Sequence, residues 1–128
     1  MNNASHRLSL LPTLVALACF TGACGACNSG YNKTISAAKE AMLREDLRVM
    51  RGMIKEYAND KGALPQSLED LASAGYIRSI PEDPMTGKRD WKVTIGEDPK
   101  LAKGSKGVVD VHSSSSAKSS GGTPYSEW

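Results

Sequence analysis

Between Ile35 and Asp60 the chain carries one long helical signature, and no other stretch limits the fold as much. Gly52 is its only glycine, proline is absent, and Ala, Lys, Glu, Met, Leu and Arg dominate, all residues that lose little on entering a helix. Leu43, Leu47, Met50, Ile54 and Tyr57 step by four, three, four and three, which draws one apolar stripe along a helix. Ala38 and Ile35 extend the stripe backwards. Glu40 with Arg44, and Glu45 with Arg48, stand at spacings where opposite charges meet, and they are expected on the exposed side. Lys61-Gly62 supplies a basic last turn and a C′ glycine. A helix greasy on one side only needs a body to lie against, so the stripe reads as core contact.

That body follows in short pieces. Leu64 to Leu71 reads as a second helix, with Pro65 and Ser67 as start signals and Asp70 three residues after Ser67 in a near capping box. Gly75 stops it. Ile80-Pro81-Glu82-Asp83-Pro84 is extended or turning, because a residue preceding proline is pushed out of the helical region. Met85 to Lys88 is a tight turn. Asp90 to Ile95 alternates Trp91, Val93 and Ile95 with Lys92 and Thr94, which predicts a strand with one buried face. A charged loop, Glu97 to Gly107, leads to a second strand, Val108 to His112. Ser113 to Gly122 holds six serines and two glycines, the composition of a flexible stretch. Tyr125 and Trp128 are too apolar for a frayed tail and are expected to dock on the sheet, with Val93 and Val109 meeting the helix stripe beside Trp91. Helices followed by strands give an α+β class: a long amphipathic helix packed on a small antiparallel sheet.

The N-terminal 27 residues differ in kind. They hold all three cysteines, so the folded part is expected to need no disulfide. His6 and Arg7 precede an uncharged run from Leu8 to Cys27, the layout of a secretory signal peptide, and its length also suits a membrane span. Thr21-Gly22-Ala23-Cys24 resembles the lipobox of bacterial lipoproteins, which implies lipid on the Cys24 thiol. Ordinary cleavage and a retained helix stand as alternatives. Cys24-x-x-Cys27 lacks the second ligand pair that a structural metal site needs. Asn28 to Lys33 is then a polar linker, and residues 34–128 are the soluble domain.

Residues 44–91, from REDLRVMRGM through KGALPQSLEDL and GYI to IPEDPMTGKRDW, resemble the soluble part of type II secretion pseudopilins, above all the major, G-type pseudopilin. Residues 108–128, VVDVHSSSSAKSSGGTPYSEW, resemble that family's last strands and aromatic end. The resemblance implies a pilin-like fold and a structural subunit of a type II secretion or type IV pilus-like assembly. It implies other pseudopilin or secretion-system subunits as partners, and a membrane-anchored protein exported to the periplasm of a Gram-negative-type bacterium. A free-standing periplasmic lipoprotein that uses the fold for binding or scaffolding is the alternative. The family's basic leader, ending in Gly before Phe and a greasy helix with Glu at its fifth position, has no counterpart here. Relatives often bind calcium after the strand carrying Asp-Val, which makes Asp110 a candidate ligand. The loop that follows supplies serines but no second carboxylate, and calcium favours several oxygens including carboxylates.

Charge and composition narrow the function classes further. Sixteen Lys+Arg against fourteen Asp+Glu leave a net charge of +2, and aromatics make up 5%. That is a poor footprint for nucleic acid, which favours a basic face and stacking rings. His112 is the only histidine after residue 27, Asp83 and Asp110 have no visible base or nucleophile partner, and the serine run lacks a strained nucleophile turn. No catalytic set and no small-molecule site are expected. Arg48 and Arg51, on the expected outer face of the long helix, are the candidates for contacts with neighbouring subunits.

Overall fold

The computed structural model describes the backbone from residue 25 and the side chains from residue 30, apart from residues 103 and 104. Helix α1 runs from Gly25 to Lys61, 37 residues or about 55 Å at 1.5 Å per residue. It therefore passes straight through residues 28–33, where a linker was expected. Those residues contain no proline, and extending an existing helix is far easier than starting one. The Thr34 hydroxyl donates back to the Gly30 carbonyl at 3.0 Å, an added bond inside the same turn. Gly62, at positive φ, ends the helix by donating its N–H to Ala58 O at 3.0 Å.

Helix α2 spans Leu68–Ser73, shorter than the stretch beginning at Leu64. Ser67 is its N-cap, and Asp70 accepts the main-chain N–H groups of Gln66 and Ser67 at 2.7 and 3.3 Å. Its end is a Schellman turn. Tyr76 N–H reaches Leu71 O, Gly75 N–H reaches Ala72 O, and Gly75 has φ +83°, where a side chain would be strained. The Tyr76 hydroxyl then donates to Asp60 at 2.8 Å, tying this turn to the end of α1.

Strands β1, Lys92–Glu97, and β2, Lys106–His112, pair antiparallel as a two-stranded sheet. Thr94 faces Asp110 but Ile95 faces Val108, so Val109 is an extra residue on β2. Such a bulge resets the alternation. Val108 and Val111 consequently both point into the core, fully buried, and Val109 is only half-buried. Val109 therefore meets the helix only at the rim of the core, where it lines a cavity with Ile54 and Ala58. Val93 and Ile95 depart from expectation too: they are 40% and 57% exposed. They stand opposite Val111 and Val108 and share their face, but α1 packs chiefly against β2 and leaves these two side chains largely open.

The core is built from Leu43, Leu47, Met50 and Ile54 of α1, Leu68 and Leu71 of α2, Val108 and Val111 of β2, and Trp91 and Tyr125. Tyr57 and Trp128 pack against it, half-buried. The stripe of α1 is thus buried from Leu43 onward, while Ile35 and Ala38 are exposed. β2 comes close to the segment before α2: Val108 N–H donates to Pro65 O at 2.7 Å. A Cβ placed on Gly107 would lie 2.5 Å from Leu64 Cβ and 2.6 Å from Pro65 O.

The serine-rich stretch is an ordered, docked loop rather than a flexible one. Lys118 bridges Pro124, Ser119 N–H donates to Thr123 O at 2.8 Å, and Gly122 N–H returns to Ser119 O at 2.9 Å. Serine hydroxyls hold their own backbone as well, Ser113 accepting from Ser115 N–H at 3.1 Å. A short 3-10 turn, Tyr125–Glu127, follows.

Candidate interaction surface

Helix α1 presents three separate stripes. The buried one is the core stripe. A second, Arg44, Arg48, Arg51 and Lys55, steps by four, three and four along one flank and, with Leu47 and Trp128, lines an open depression of about 630 Å³. The third consists of Tyr31, Ile35, Ala38 and Met42, again at steps of four, three and four, with Val49 seven residues further on. It lies roughly a third of a turn from the core stripe at 100° per residue. Tyr31 is 66% exposed, Met42 58%, and every residue from 31 to 39 is exposed. The first part of α1 is a projecting arm.

Where the arm meets the body, Glu40 acts as a clasp. It is buried, against the expectation that it pairs with Arg44 on the outside. Its Oε1 accepts Ser120 N–H at 3.0 Å and the Tyr125 hydroxyl at 2.9 Å, and its Oε2 accepts the Ser120 hydroxyl at 3.3 Å. Arg44 stands 3.9 Å away. The main-chain donor of Ser120, then the Tyr125 hydroxyl, hold the Glu40 carboxyl below its ordinary range against the opposing effect of burial. Burial, and then this acidic partner, push the Tyr125 hydroxyl the other way, upward. Arg44 also lies 4.4 Å over the Trp128 ring, and Trp128 meets Tyr125 edge-on with centroids 5.1 Å apart.

Of the two arginines proposed for neighbour contacts, only Arg48 is free to turn outward. It is exposed and pairs with Glu45 at 2.6 Å within its own helix. Arg51 is half-buried and tied to β2 and the chain's last residue. Its Nε donates to Asp110 Oδ1 at 2.6 Å, and its Nη2 donates to the main-chain oxygens of Val111 at 2.8 Å and Trp128 at 2.6 Å. This is a correction, and the reason is geometric: β2 rises beside α1 at this turn. The same contact defines Asp110. One carboxylate oxygen faces a guanidinium, and the other lies 3.3 Å from His112 Nε2. His112 Nδ1 in turn donates to the Trp128 main-chain oxygen at 2.7 Å. A guanidinium and an imidazole thus flank the calcium candidate. Among the described residues no cluster of three or more His, Cys, Asp or Glu is placed to hold a metal. Cys24, the lipid candidate, lies outside the described residues.

A further buried pair escaped the sequence reading. Asp83 and Ser113 are fully buried, and the Ser113 hydroxyl donates to Asp83 Oδ2. Asp83 Oδ1 accepts Met85 N–H at 2.8 Å, and Gly87 N–H reaches Asp83 O at 2.7 Å, closing the expected tight turn. The pair pins the turn to the start of the serine loop. Burial, and then Glu45 and Asp83, raise the carboxyl of half-buried Asp46 nearby. The signals for these roles were present only as single letters, since Asp83 and Ser113 are 30 residues apart and Glu40 and Ser120 are 80 apart. No family model, curated protein or solved structure matches the chain.

Proposed function

We propose that this chain is a pseudopilin-like structural subunit of a type II secretion or type IV pilus-like assembly, working through protein–protein contacts. One observation carries the reading: a single helix is fixed to a small α+β body by its second half, while its first half projects with an unpartnered apolar stripe. Tyr31, Ile35, Ala38 and Met42 all remain exposed among the described residues, and an amphipathic stripe of this length is stabilised by burial against another helix. The order of motifs in residues 44–91 and 108–128 supports the pilin-like form of the fold. Among the described residues no helix is long and apolar enough to cross a membrane. The segment before α1 is the proposed anchor, either as a span or through lipid on Cys24.

The test replaces Ile35 and Met42 with Asp in the full chain, expressed beside its neighbouring genes, and follows recovery in sheared, pelletable assemblies. The double variant is expected to fold with unchanged far-UV circular dichroism and to vanish from the assembled fraction. Equal recovery of variant and wild type would remove the arm as an assembly surface. A wild-type chain found only as free, lipid-bearing monomer would favour the scaffolding lipoprotein.

A further inference from the structure

The second exposed apolar feature is β1. Val93 and Ile95 stand on the same face as the buried Val111 and Val108, yet remain 40% and 57% exposed because α1 packs chiefly against β2. The strand is also an open edge. The sheet has two strands, and no described residue hydrogen-bonds the backbone of 92–97 on the side away from β2. Two-stranded sheets are marginal, and an edge of free N–H and C=O groups is a template for another strand.

We infer that β1 pairs antiparallel with β1 of a second copy of this chain, joining two two-stranded sheets into one of four. The charge pattern selects this occupant. The approach to the strand, residues 88–92, carries Lys88, Arg89 and Lys92 against Asp90, and Asp90 is already engaged by the Thr86 hydroxyl at 2.6 Å. The exit, residues 97–100, carries Glu97 and Asp98 against Lys100. Antiparallel self-pairing sets the basic start of each copy beside the acidic end of the other, and a parallel arrangement would set like against like. Register follows from the ladder. Successive residues of a strand point their backbone groups to opposite edges, so facing residues on a self-paired edge must share the same alternation. The two-fold axis therefore passes through a residue and not between two. Placed at Ile95, it sets the two exposed Ile95 side chains against each other with Val93 diagonal to them, and it sets Lys92 and Asp90 of each copy against Asp98 and Lys100 of the other.

A six-residue edge falls short of the roughly 1,200 Å² typical of stable complexes, so the pairing is weak in dilute solution. It belongs to conditions where copies are concentrated. The experiment mixes unlabelled and nitrogen-15-labelled full-length chain in detergent at high concentration. A zero-length carboxylate–amine reagent then links the copies, and mixed-isotope peptides are read by mass spectrometry. Links from Lys92 to Asp98 of the other copy are expected. Ile95→Lys should cut their yield about tenfold or more, because it sets two lysines against each other at the centre of the paired face. Its melting temperature should not change, since Ile95 is exposed in the single chain. Absence of intermolecular Lys92 links, or Lys92 links indifferent to Ile95→Lys, overturns the inference. Links confined to Lys33 or Lys39 on the arm also overturn it, while leaving the assembly role of the arm standing.

Discussion

A buried carboxylate is costly unless its lone pairs are filled, and Glu40 has both oxygens engaged by a loop 80 residues away. Because its folded carboxyl is lowered, chiefly by the Ser120 N–H, the folded chain holds the proton less tightly than the unfolded one. That stabilisation is fully present above the unfolded carboxylate value, about 4.3. It is lost as pH falls through the lowered folded value. Glu40→Gln should therefore melt below wild type at neutral pH, and the gap should narrow on acidification below about pH 4.3. Thermal melts across that range check it, and a constant gap would mean that the charge on Glu40 contributes nothing. The two arginines separate on the same logic. Arg51→Ala removes donors to three oxygens and leaves Asp110 without its arginine partner, so a loss of about 1–3 kcal/mol is expected by denaturant titration. Arg48→Ala, whose bonds face solvent, should leave the transition where it is. Equal effects would contradict the placement of Arg51 beside β2.

At the scale of elements, stability lies in the second half of α1 and its crossing of β2. Leu47→Ala or Ile54→Ala opens a hole in the packed stripe and should cost about 2–5 kcal/mol. Ile35→Ala, outside the core, should cost far less, and a similar loss from all three would mean the arm is packed after all. Gly107→Ala tests the close approach of β2 to Leu64 and Pro65. A methyl at 2.5 Å from one neighbour and 2.6 Å from the next forces backbone apart, and overpacking of this kind costs about 1–3 kcal/mol. Chemical denaturation reads both series. The core stripe from Leu43 to Tyr57, the caps of α2 and the turn at Gly87 were legible in the sequence because each is a local pattern with a local cause. The bulge at Val109 was not, because period-two reasoning has no place for an extra residue that tertiary packing requires. Glu40 with Arg44 matched the spacing of a surface pair, and nothing near it in sequence tells of Tyr125. The serine run matched the composition of a loose linker. Its order comes from Asp83 and Glu40, partners that composition cannot reveal, just as the spacing of Arg51 gave no sign of Asp110.

For the whole molecule, the division of α1 into arm and anchor separates folding from assembly. Residues 31–39 are exposed and Glu40 is the first clasped side chain, so the body should fold without the arm. A chain beginning at Ala38 still carries the complete core from Leu43 onward, together with every contact of Glu40. Its helix also starts well, because Glu40 then lies in the first turn, where a negative charge offsets the unsatisfied N–H groups. Its thermal midpoint and unfolding cooperativity should match those of the longer chain, whereas the stripe of Tyr31 and Ile35 is gone and recovery in assemblies should fall to background. A large drop in midpoint would show that the arm supports the body and is no independent surface. Retained assembly with an intact midpoint would move the contact surface elsewhere, and the open edge of β1, untouched by the truncation, is the surface left to carry it.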